Sequence, residues 1–402
     1  MSISKVFYAL INDKSATFES ANIQDDHAIF YGRLRQRVRK CPCCQSQDVR
    51  IKETKERTFR MLNLGNKRSY LKLDTHKIWC HRCEAKAWIK LPFTIGKLPM
   101  TKSFMQYIVQ LTAITTLLSV AILLGLQWNT VKNIDKANLA KHAKQFSFKK
   151  LRYLSIDEIA IKKGHKYMTI FSDISTGRII HAVEGRKEEA LRPFLKQLAK
   201  KARRLLGIAI DMSATYANSI KLHLPGVEII FDRFHVTKLL TDTIDKIRRS
   251  EYAKNNDDGL KVLKGQRFLL LRNFADLDPT QQDHLKQLLE INKPLAIAHS
   301  MKEQFRSFWS CQSRLEGSRF LAVWIITALD SGVTLLAKVA RTFQHRAAGL
   351  LSYFDHRIDN GKAEGINNKI KVLKRQAYGF RDQEYFKLRL YHLHKQECRL
   401  VG

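Results

Sequence analysis

The sequence predicts an α/β protein with a mixed five-stranded core, an all-helical insertion, and two small modules ahead of the core. Residues 153–183 hold three successive strand patterns, with the turn residues Ser175-Thr176-Gly177 between the last two. Helical and strand patterns then alternate to about residue 250, whereas residues 251–355 have helical periodicity alone. Paired cysteines and an uncharged helical stretch precede these segments.

The net charge indicates which class of partner the protein binds. The 402 residues include 71 Lys and Arg against 37 Asp and Glu, a formal charge of +34. This excess is far beyond what solubility needs and indicates a large polyanion, with nucleic acid first and a ribosomal or anionic membrane surface as alternatives. Because 45% of the residues are hydrophobic, we expect the basic residues on folded domains and not on a disordered tail.

The cysteine distribution indicates a reducing compartment. Five of the seven cysteines lie between Cys41 and Cys83, which favours a metal site over a disulfide framework. The stretch from Met1 to Leu10 lacks the basic start and long apolar run of a signal peptide. We therefore expect a cytoplasmic protein.

The cysteines form two C-x-x-C knuckles, Cys41-Pro42-Cys43-Cys44 and Cys80-His81-Arg82-Cys83. Four thiolates so arranged can close a tetrahedron around a structural Zn²⁺. Strand patterns at 58–62, 69–73 and 77–79 would join the knuckles as a zinc ribbon over residues 33–95. We predict Cys41, Cys44, Cys80 and Cys83 as the ligands, while Cys43 and His81 stay open as replacements.

The same module is strongly basic. It has seventeen Lys or Arg and five Asp or Glu between Arg33 and Lys90. This composition favours a metal-folded DNA-binding head, and the alternative is a structural knuckle whose charge is only a solvated face.

Residues 100–148 are predicted to form a helix-turn-helix domain. Ser103 to Val131 has no charged residue, so a membrane-spanning helix must be considered. Periodic apolar residues, followed by Ala121, Gly125 and Val131 at the spacing of two crossing helices, favour the soluble domain. Lys132 and Lys136 would then lie on the recognition helix as DNA contacts, whereas an ordinary helical hairpin is the alternative.

The next region, residues 149–250, has the order strand-strand-strand-helix-strand-helix-strand-helix, which is that of the ribonuclease H fold. Asp157 lies among apolar neighbours in the first strand, where a buried charge is costly unless it is used. Asp211 ends the strand that starts at Gly207. Because these two strands are adjacent in this fold, we expect both carboxylates to share divalent metal ions.

A third carboxylate is expected on a late helix. Glu364 lies in Gly361-Lys362-Ala363-Glu364-Gly365-Ile366-Asn367-Asn368, and it belongs to the last part of the core, which we assign with the C-terminal tail to residues 356–402. The later residues Lys371 and Arg375 fall on the same helical face and would meet a substrate phosphate.

Other acidic residues have competing interpretations. Glu158 should point to the opposite face of the sheet from Asp157. Asp173 is expected to shape a hairpin turn. Asp232 and His235 follow the next strand, and they either support the active site or form a helix cap with a packed histidine.

The separations between the three acids indicate an insertion. Asp157 and Asp211 lie 54 residues apart, but Asp211 and Glu364 lie 153 residues apart, which is more than one strand and one helix require. We therefore predict a helical insertion over residues 251–355, with helices at 259–273, 279–292, 294–316 and 319–340. Trp309 and Trp324 are expected to pack more readily than to contact DNA.

The combined motifs resemble an ISL-three-type bacterial insertion-sequence transposase of the DDE superfamily. The resemblance rests on the two knuckles and on three segments with carboxylates: Ile156-Asp157-Glu158, Ala209-Ile210-Asp211-Met212-Ser213 and Phe231-Asp232-Arg233-Phe234-His235-Val236. It also includes Glu364-Gly365-Ile366-Asn367-Asn368 followed by Lys374-Arg375 and Tyr378-Gly379.

This resemblance implies a polynucleotidyl transferase that hydrolyses the ends of a mobile element and joins the freed 3′-hydroxyl to target DNA. Two Mg²⁺ or Mn²⁺ ions would be held by Asp157, Asp211 and Glu364. The partners would be double-stranded DNA at the bacterial nucleoid and a second copy of the chain in a dimer or higher oligomer. A nuclease of the same fold and a transposase-derived DNA-binding regulator are the alternatives.

Overall fold

The computed structural model describes residues 2–142, 146–162, 166–254, 263–358 and 361–393, with backbone alone for Arg37, Lys162, Lys254 and residues 361–364. These residues belong to two compact units, one before and one after residue 143. Each unit has its own sheet and hydrophobic core.

The first unit is built on a mixed sheet that follows helix α1. Its elements are α1 Ile3–Ile11, β1 Ala16–Ile23, β2 His27–Leu34, β3 Val49–Arg60, β4 Arg68–Cys80 and β5 Lys86–Trp88. The strand order is β1-β2-β4-β3, and β5 also pairs with β4. Because β2 and β4 are parallel neighbours, β1 and β2 belong to the same sheet as the strands of the cysteine module.

Strands β3 and β4 are longer than the sequence pattern predicts. Their antiparallel ladder runs from Val49 opposite Cys80 to Arg60 opposite Tyr70. The first half of β3 is exposed and charged. It therefore lacks the alternation of apolar and polar residues by which a strand is predicted from sequence. The pairing of Val49 with Cys80 brings the two cysteine knuckles to one end of the ladder.

Three helices complete the first unit, α2 Lys102–Ile114, α3 Leu117–Leu124 and α4 Trp128–His142. Thr101 caps α2 by accepting a hydrogen bond from the N–H of Phe104, and Thr116 caps α3 by accepting one from the N–H of Ser119. Gly125 ends α3 at φ 63°, a left-handed conformation that glycine adopts without strain. Ala121 and Val131 are both buried in the apolar core that these helices share.

The uncharged stretch from Ser103 to Val131 is therefore divided among three short helices. Among the described residues, no helix combines the length and the apolar character that crossing a membrane would need.

The second unit is organised around a five-stranded sheet. Its strands are β6 Tyr153–Lys162, β7 Lys166–Asp173, β8 Arg178–Glu184, β9 Gly207–Ile210 and β10 Glu228–Phe231. The spatial order is β10-β9-β6-β7-β8. The first three strands in sequence are antiparallel, whereas β9 and β10 run parallel to β6. This order and these directions fit a ribonuclease-H-like core.

Both faces of this sheet are covered by helices. The helices that follow the strands are α5 Glu188–Lys201, α6 Ala214–His223 and α7 Arg233–Lys254. Ile156 and Phe171 pack with α5 and α6 on one face. On the other face, Met168 and Ile170 pack against two late helices, α14 Gly361–Gln376 and α15 Gln383–His392.

The inserted residues 263–356 are helical. They form α8 Arg267–Leu271, α9 Pro279–Glu290, α10 Lys293–Phe308, α11 Arg314–Asp330, α12 Thr334–His345 and α13 Ala347–His356. Two predicted boundaries are wrong. The expected helix 294–316 breaks between Phe308 and Arg314. The expected helix 319–340 breaks where Gly332 takes a φ of 74°. At each break the chain turns, so that the next helix packs on the same core. Part of the expected helix 259–273 lies outside the described residues.

Candidate active site and metal centre

Four cysteines of the first unit converge at one end of the β3–β4 ladder. The Sγ atoms of Cys41, Cys44, Cys80 and Cys83 all lie within 4.8 Å of one another. The separation is 3.6 Å between Cys41 and Cys83 and 3.5 Å between Cys44 and Cys80. Across the described part of the chain, this is the one group of three or more metal-ligand side chains that is so close.

The two knuckles have the same backbone turn. The N–H of Gln45 donates to the carbonyl of Cys41, and the N–H of Glu84 donates to the carbonyl of Cys80. Gln45 and Glu84 both have a positive φ, 61° and 55°. This repeated turn points the thiols of each C-x-x-C pair to one side. Cys43 is exposed and His81 stacks edge-on against Trp79, and neither belongs to the close group.

The chemistry of the donor set fits Zn²⁺. Backbone N–H groups of Cys44 and Cys43 donate to the Cys41 sulfur and lower the pKa of that thiol to about 6. The thiolate is the form that binds a metal. Four sulfur ligands at mutual tetrahedral distances are typical of a closed structural zinc site.

In the second unit, three aspartates lie level with one another on adjacent parallel strands. Ser155 of β6 pairs with Ala209 of β9, so continuing this register by two residues sets Asp157 level with Asp211. Phe231 of β10 pairs with Ile210, which sets Asp232 beside Asp211 in the same way. Neighbouring strands are about 4.8 Å apart. Extending this register thus places the backbone positions of the three residues side by side, and we call Asp157, Asp211 and Asp232 the aspartate row.

Electrostatics connect two members of the row. Burial raises the pKa of Asp211, and the nearby Asp157 raises it further, whereas the N–H of Ser213 and the ring of His235 act against the rise. The Ser213 N–H donates to Oδ1 of Asp211 at 3.0 Å. Two carboxylates that repel each other in a partly buried site are stabilised by a bound cation.

Asp157 is also joined to α14. Its Oδ2 accepts a hydrogen bond from Nδ2 of Asn367, and its Oδ1 accepts from the N–H of Glu158. Two turns later on α14, Nζ of Lys374 donates to the carbonyl of Ala160 in β6. The helix is thus attached along the strand that holds Asp157.

Glu364 belongs to α14, one turn before Asn367. Its side chain lies outside the described residues, so the position of its carboxylate is left as a prediction.

Asp232 and His235 lie at the start of α7, next to Asp211. Asp232 accepts a hydrogen bond from the N–H of Phe234 at 2.9 Å, at the first turn of α7. Its Oδ2 lies 3.8 Å from Nε2 of His235. The imidazole remains 32% exposed and also acts on Asp211. Asp232 is thus both a helix cap and a neighbour of the active-site candidate.

Two other acidic residues are placed as predicted. Glu158 is on the opposite side of β6 from Asp157, where the hydroxyl of Tyr216 in α6 donates to it at 3.4 Å and Arg186 lies 3.7 Å away. Asp173 accepts hydrogen bonds from Ser175 and Thr176 in the hairpin turn. The contacts of Glu158 had no signal in the sequence, because they join residues far apart in the chain.

The basic residues predicted to meet DNA lie on two helices. Nζ of Lys132 is 5.4 Å from the centre of the Trp128 ring at the start of α4, and Lys136 is half-buried one turn later. Lys371 and Arg375 are exposed on α14. Trp309 and Trp324 are buried in the insertion, which confirms that they pack.

A cleft of about 850 Å³ opens beside Asp157 and Asp232 within the second unit. Lys371 and Lys374 of α14 lie on one wall. Helix α10 provides part of another wall, and His235 and Phe234 of α7 are at the same opening. The cleft is thus lined by both carboxylates and cationic side chains, which suits a phosphodiester substrate with bound metal ions.

The sheet order, with aspartates that follow adjacent strands, is typical of the DDE class of proteins with a ribonuclease-H-like core. Comparison with known proteins agrees: a family model described as "Transposase" matches residues 154–390. The chain belongs to the ISL-three-type family of insertion-sequence DDE transposases.

Two curated relatives extend the similarity beyond the core. The chain is 32% identical over 358 residues to the transposase for insertion sequence element IS1001 of Bordetella parapertussis, covering 88% of each chain. It is 25% identical over 414 residues to the transposase for insertion sequence element IS1557 of Mycobacterium tuberculosis, covering 94% of this chain and 93% of the relative. Both alignments are long enough to include residues of both units.

Proposed function

We propose that this protein is the DNA transposase of an insertion sequence and that it cuts and rejoins strands with divalent metal held by Asp157, Asp211 and Glu364. The observation that carries the proposal is the aspartate row with α14 attached to it through Asn367 and Asp157. The names of the relatives support the same function.

Glu364 is proposed as the third ligand because of its position on α14. Residues three apart on a helix share a face, and Asn367, three residues later, contacts Asp157. Glu364, one turn earlier, is therefore on the same face of α14 as Asn367. Two bound Mg²⁺ or Mn²⁺ ions would supply an activated nucleophile and a stabilised leaving oxygen for in-line displacement.

The remaining site residues act on the substrate or on the ligands. Lys371 and Arg375 are exposed on the helix of Glu364, and we propose that they bind DNA phosphates. His235 faces Asp211 and Asp232, which supports a positioning role for both Asp232 and His235. Their hydrogen-bonding groups would orient the Asp211 carboxylate.

The first unit is proposed to bind the terminal inverted repeats. The four-cysteine group would form a structural zinc ribbon in a strongly basic module. The helices α3 and α4 would form a helix-turn-helix in which Lys132 and Lys136 contact DNA. Phosphate contacts of this kind give affinity that falls with salt.

We also propose that the protein acts as a dimer or higher oligomer on double-stranded DNA, in the bacterial cytoplasm at the nucleoid. Two element ends must be processed together in transposition, and a second copy would supply the second active site. The net charge of +34 favours association on DNA, where the phosphates screen the repulsion between copies.

The decisive experiment separates end binding, cleavage and strand transfer. Asp157→Ala, Asp211→Ala and Glu364→Ala are each expected to retain binding of the element ends and to lose excision by about 10³-fold or more in the presence of Mg²⁺. Asp283→Ala removes an exposed carboxylate of α9 and serves as the matched control. Excision that persists in the three variants would overturn the catalytic assignment.

The unmodified protein distinguishes the competing functions in the same assay. Cleavage without strand transfer would identify a nuclease, and binding without cleavage would identify a DNA-binding regulator. Cleavage followed by joining of the 3′-hydroxyl to target DNA is the result that the proposal requires.

A further inference from the structure

One side of helix α11, in the helical insertion, is exposed to solvent. Trp324, Ile325 and Ala328 on its other side are buried in the core of the second unit. Val323 and Ile326, in contrast, are 65% and 59% exposed although both are large and apolar. An apolar residue that is exposed singly needs no explanation, whereas neighbours on one face of a helix favour an interaction surface.

These two residues lie between opposite charges on the same face. Arg319 precedes Val323 by four residues, and Asp330 follows Ile326 by four residues. The successive spacings of four, three and four residues keep all four positions on one side of the helix, and we call them the α11 stripe. Both charged residues are exposed, and within the described part of the chain neither has an ion-pair partner.

The position of Asp330 is unfavourable for an isolated helix. The C-terminal end of a helix carries a partial negative charge, which repels an acidic side chain, and Asp330 is the last residue of α11. Glu316 is placed in the opposite way, in the first turn, where the helix favours an acid. A cation supplied by another molecule would offset the unfavourable position of Asp330.

The α11 stripe is complementary to itself when two α11 helices run antiparallel. A two-fold axis midway between positions 324 and 325 sets Arg319 of one copy level with Asp330 of the second, and Val323 level with Ile326. A parallel pair in register would instead oppose each charge to its own kind. Because one two-fold axis satisfies the charged pair and the apolar pair together, the stripe has the self-complementary pattern of a symmetric dimer contact.

We propose that two copies of the protein associate through antiparallel α11 helices, with Arg319 of each copy paired with Asp330 of the other. This inference rests on the proposed function, which includes a dimer or higher oligomer, and it assigns the surface that joins the copies. Four side chains per copy bury less than the roughly 1,000 Å² of a stable interface, so the contact is weak in solution. DNA strengthens it, because bound copies are concentrated and the phosphates offset the charge of +34.

Sedimentation of the full-length protein measures the association, both alone and on a short duplex of an element end. Arg319→Glu and Asp330→Arg each set like charges level with one another, twice in every dimer, and each should weaken association by about tenfold. The double variant Arg319→Glu/Asp330→Arg restores opposite charges and should associate within about twofold of the unmodified protein. The two positions are about 16 Å apart along one helix, so this restoration requires contact between copies.

Two further variants separate the contact from helix stability and from general surface effects. Asp330→Arg places a cation where the isolated helix favours one, so a weaker association in this variant is not explained by a less stable α11. Ile326→Glu should reduce association by about thirtyfold, because it buries a charge in the contact. Ile291→Glu is its matched control, since Ile291 is 54% exposed just after α9 and lies outside the stripe. Thermal unfolding of each variant checks its folding.

Several results would overturn the inference: unaltered association in the single charge variants, a double variant no better than the single ones, or equal losses in Ile326→Glu and Ile291→Glu. An unmodified protein that stays monomeric both alone and on DNA would do the same. Cleavage of element ends in Mg²⁺ is measured in parallel with the unmodified protein. If cleavage occurs but association does not depend on the α11 stripe, only the interface is wrong, whereas absent cleavage contradicts the proposed function itself.

Discussion

The two candidate metal sites of this protein are assembled in different ways. The four cysteines of the first unit come from two turns of the same shape at one end of a single β ladder, and their sulfur atoms are already within 4.8 Å of one another. The aspartate row of the second unit comes from three strands and depends on their register. Its third proposed ligand lies 153 residues further along the chain from Asp211.

This contrast follows from what each site must do. A structural zinc site is closed by local turns and contributes to folding. A phosphoryl-transfer site must hold like charges near one another and still admit a substrate, so burial and Asp157 raise the pKa of Asp211 in the absence of a cation. We therefore expect metal removal to unfold part of the first unit and to leave the second unit folded but inactive.

Zinc removal tests the first half of this comparison and has the largest expected effect. The full-length protein should contain one zinc per chain by metal analysis, and a zinc chelator should remove on the order of 10 kcal/mol of folding free energy from the knuckle region. Cys80→Ser should have the same effect as the chelator. Cys43→Ser is the control, because Cys43 is exposed and outside the close group.

Hydrogen exchange localises the loss to residues 41–88, while amides of β6 and β9 should keep their protection when either zinc or magnesium is chelated. A folded knuckle region without bound zinc would contradict the assignment. Equal destabilisation of both units would contradict the contrast between them.

The stability of the second unit should depend on pH, because it buries histidine side chains such as His181. This ring is stacked on Phe194, with ring centres 4.1 Å apart and planes 8° apart. Burial, with a smaller effect of Lys387, lowers the pKa of His181 to about 4 from an ordinary value of 6.5. The folded state thus binds fewer protons than the unfolded state between these two pH values.

The unfolding free energy should therefore be highest above pH 6.5, where His181 is neutral in both states. It should decrease as the pH falls from 6.5 towards 4, and His181 should account for about 3 kcal/mol of that decrease. His299 is a second contributor, since burial also lowers its pKa to about 4. Urea unfolding across this pH range should show a shallower dependence in His181→Phe. His284→Phe changes an exposed histidine and should retain the original slope; an unaltered slope in His181→Phe would contradict the prediction.

The parts of the fold that sequence could predict are those with local or periodic signals. The spacing of Cys41 and Cys44 is enough to predict a knuckle, because its geometry is set within a few residues. The apolar strand before Asp211 and the charged residue within the first core strand also have local signals. Their adjacency follows once the order of strands and helices is recognised.

Contacts between distant segments had no such signal. The link from Asn367 to Asp157 depends on the rotation of α14 about its axis, and the effect of His235 on Asp211 depends on the register of β9 and β10. The strands β1 and β2 were missed because their exposed positions are polar, although Ile29-Phe30-Tyr31 after the turn at Asp25-Asp26 is a strand signal. Periodicity identifies elements but does not fix how they dock.

That docking contact gives the last and smallest predicted effect. Asn367→Ala removes the hydrogen bond to the Asp157 carboxylate, a charge-assisted contact worth about 2 kcal/mol. If this bond orients Asp157 and the first turn of α14 for metal binding, strand cleavage at fixed Mg²⁺ should fall by about thirtyfold, since each 1.4 kcal/mol corresponds to about tenfold. End binding by the first unit should be unchanged.

The neighbouring Asn368 provides the control, because it has the same side chain on the same helix but is exposed. Asn368→Ala should cleave at the unmodified rate. A magnesium titration adds a readout that general destabilisation would not produce: Asn367→Ala should need a higher Mg²⁺ concentration for half-maximal cleavage. Equal effects of the two changes would mean that α14 is positioned by its apolar packing on β7 alone, and the acidic site would then resemble the zinc site in being fixed by backbone geometry.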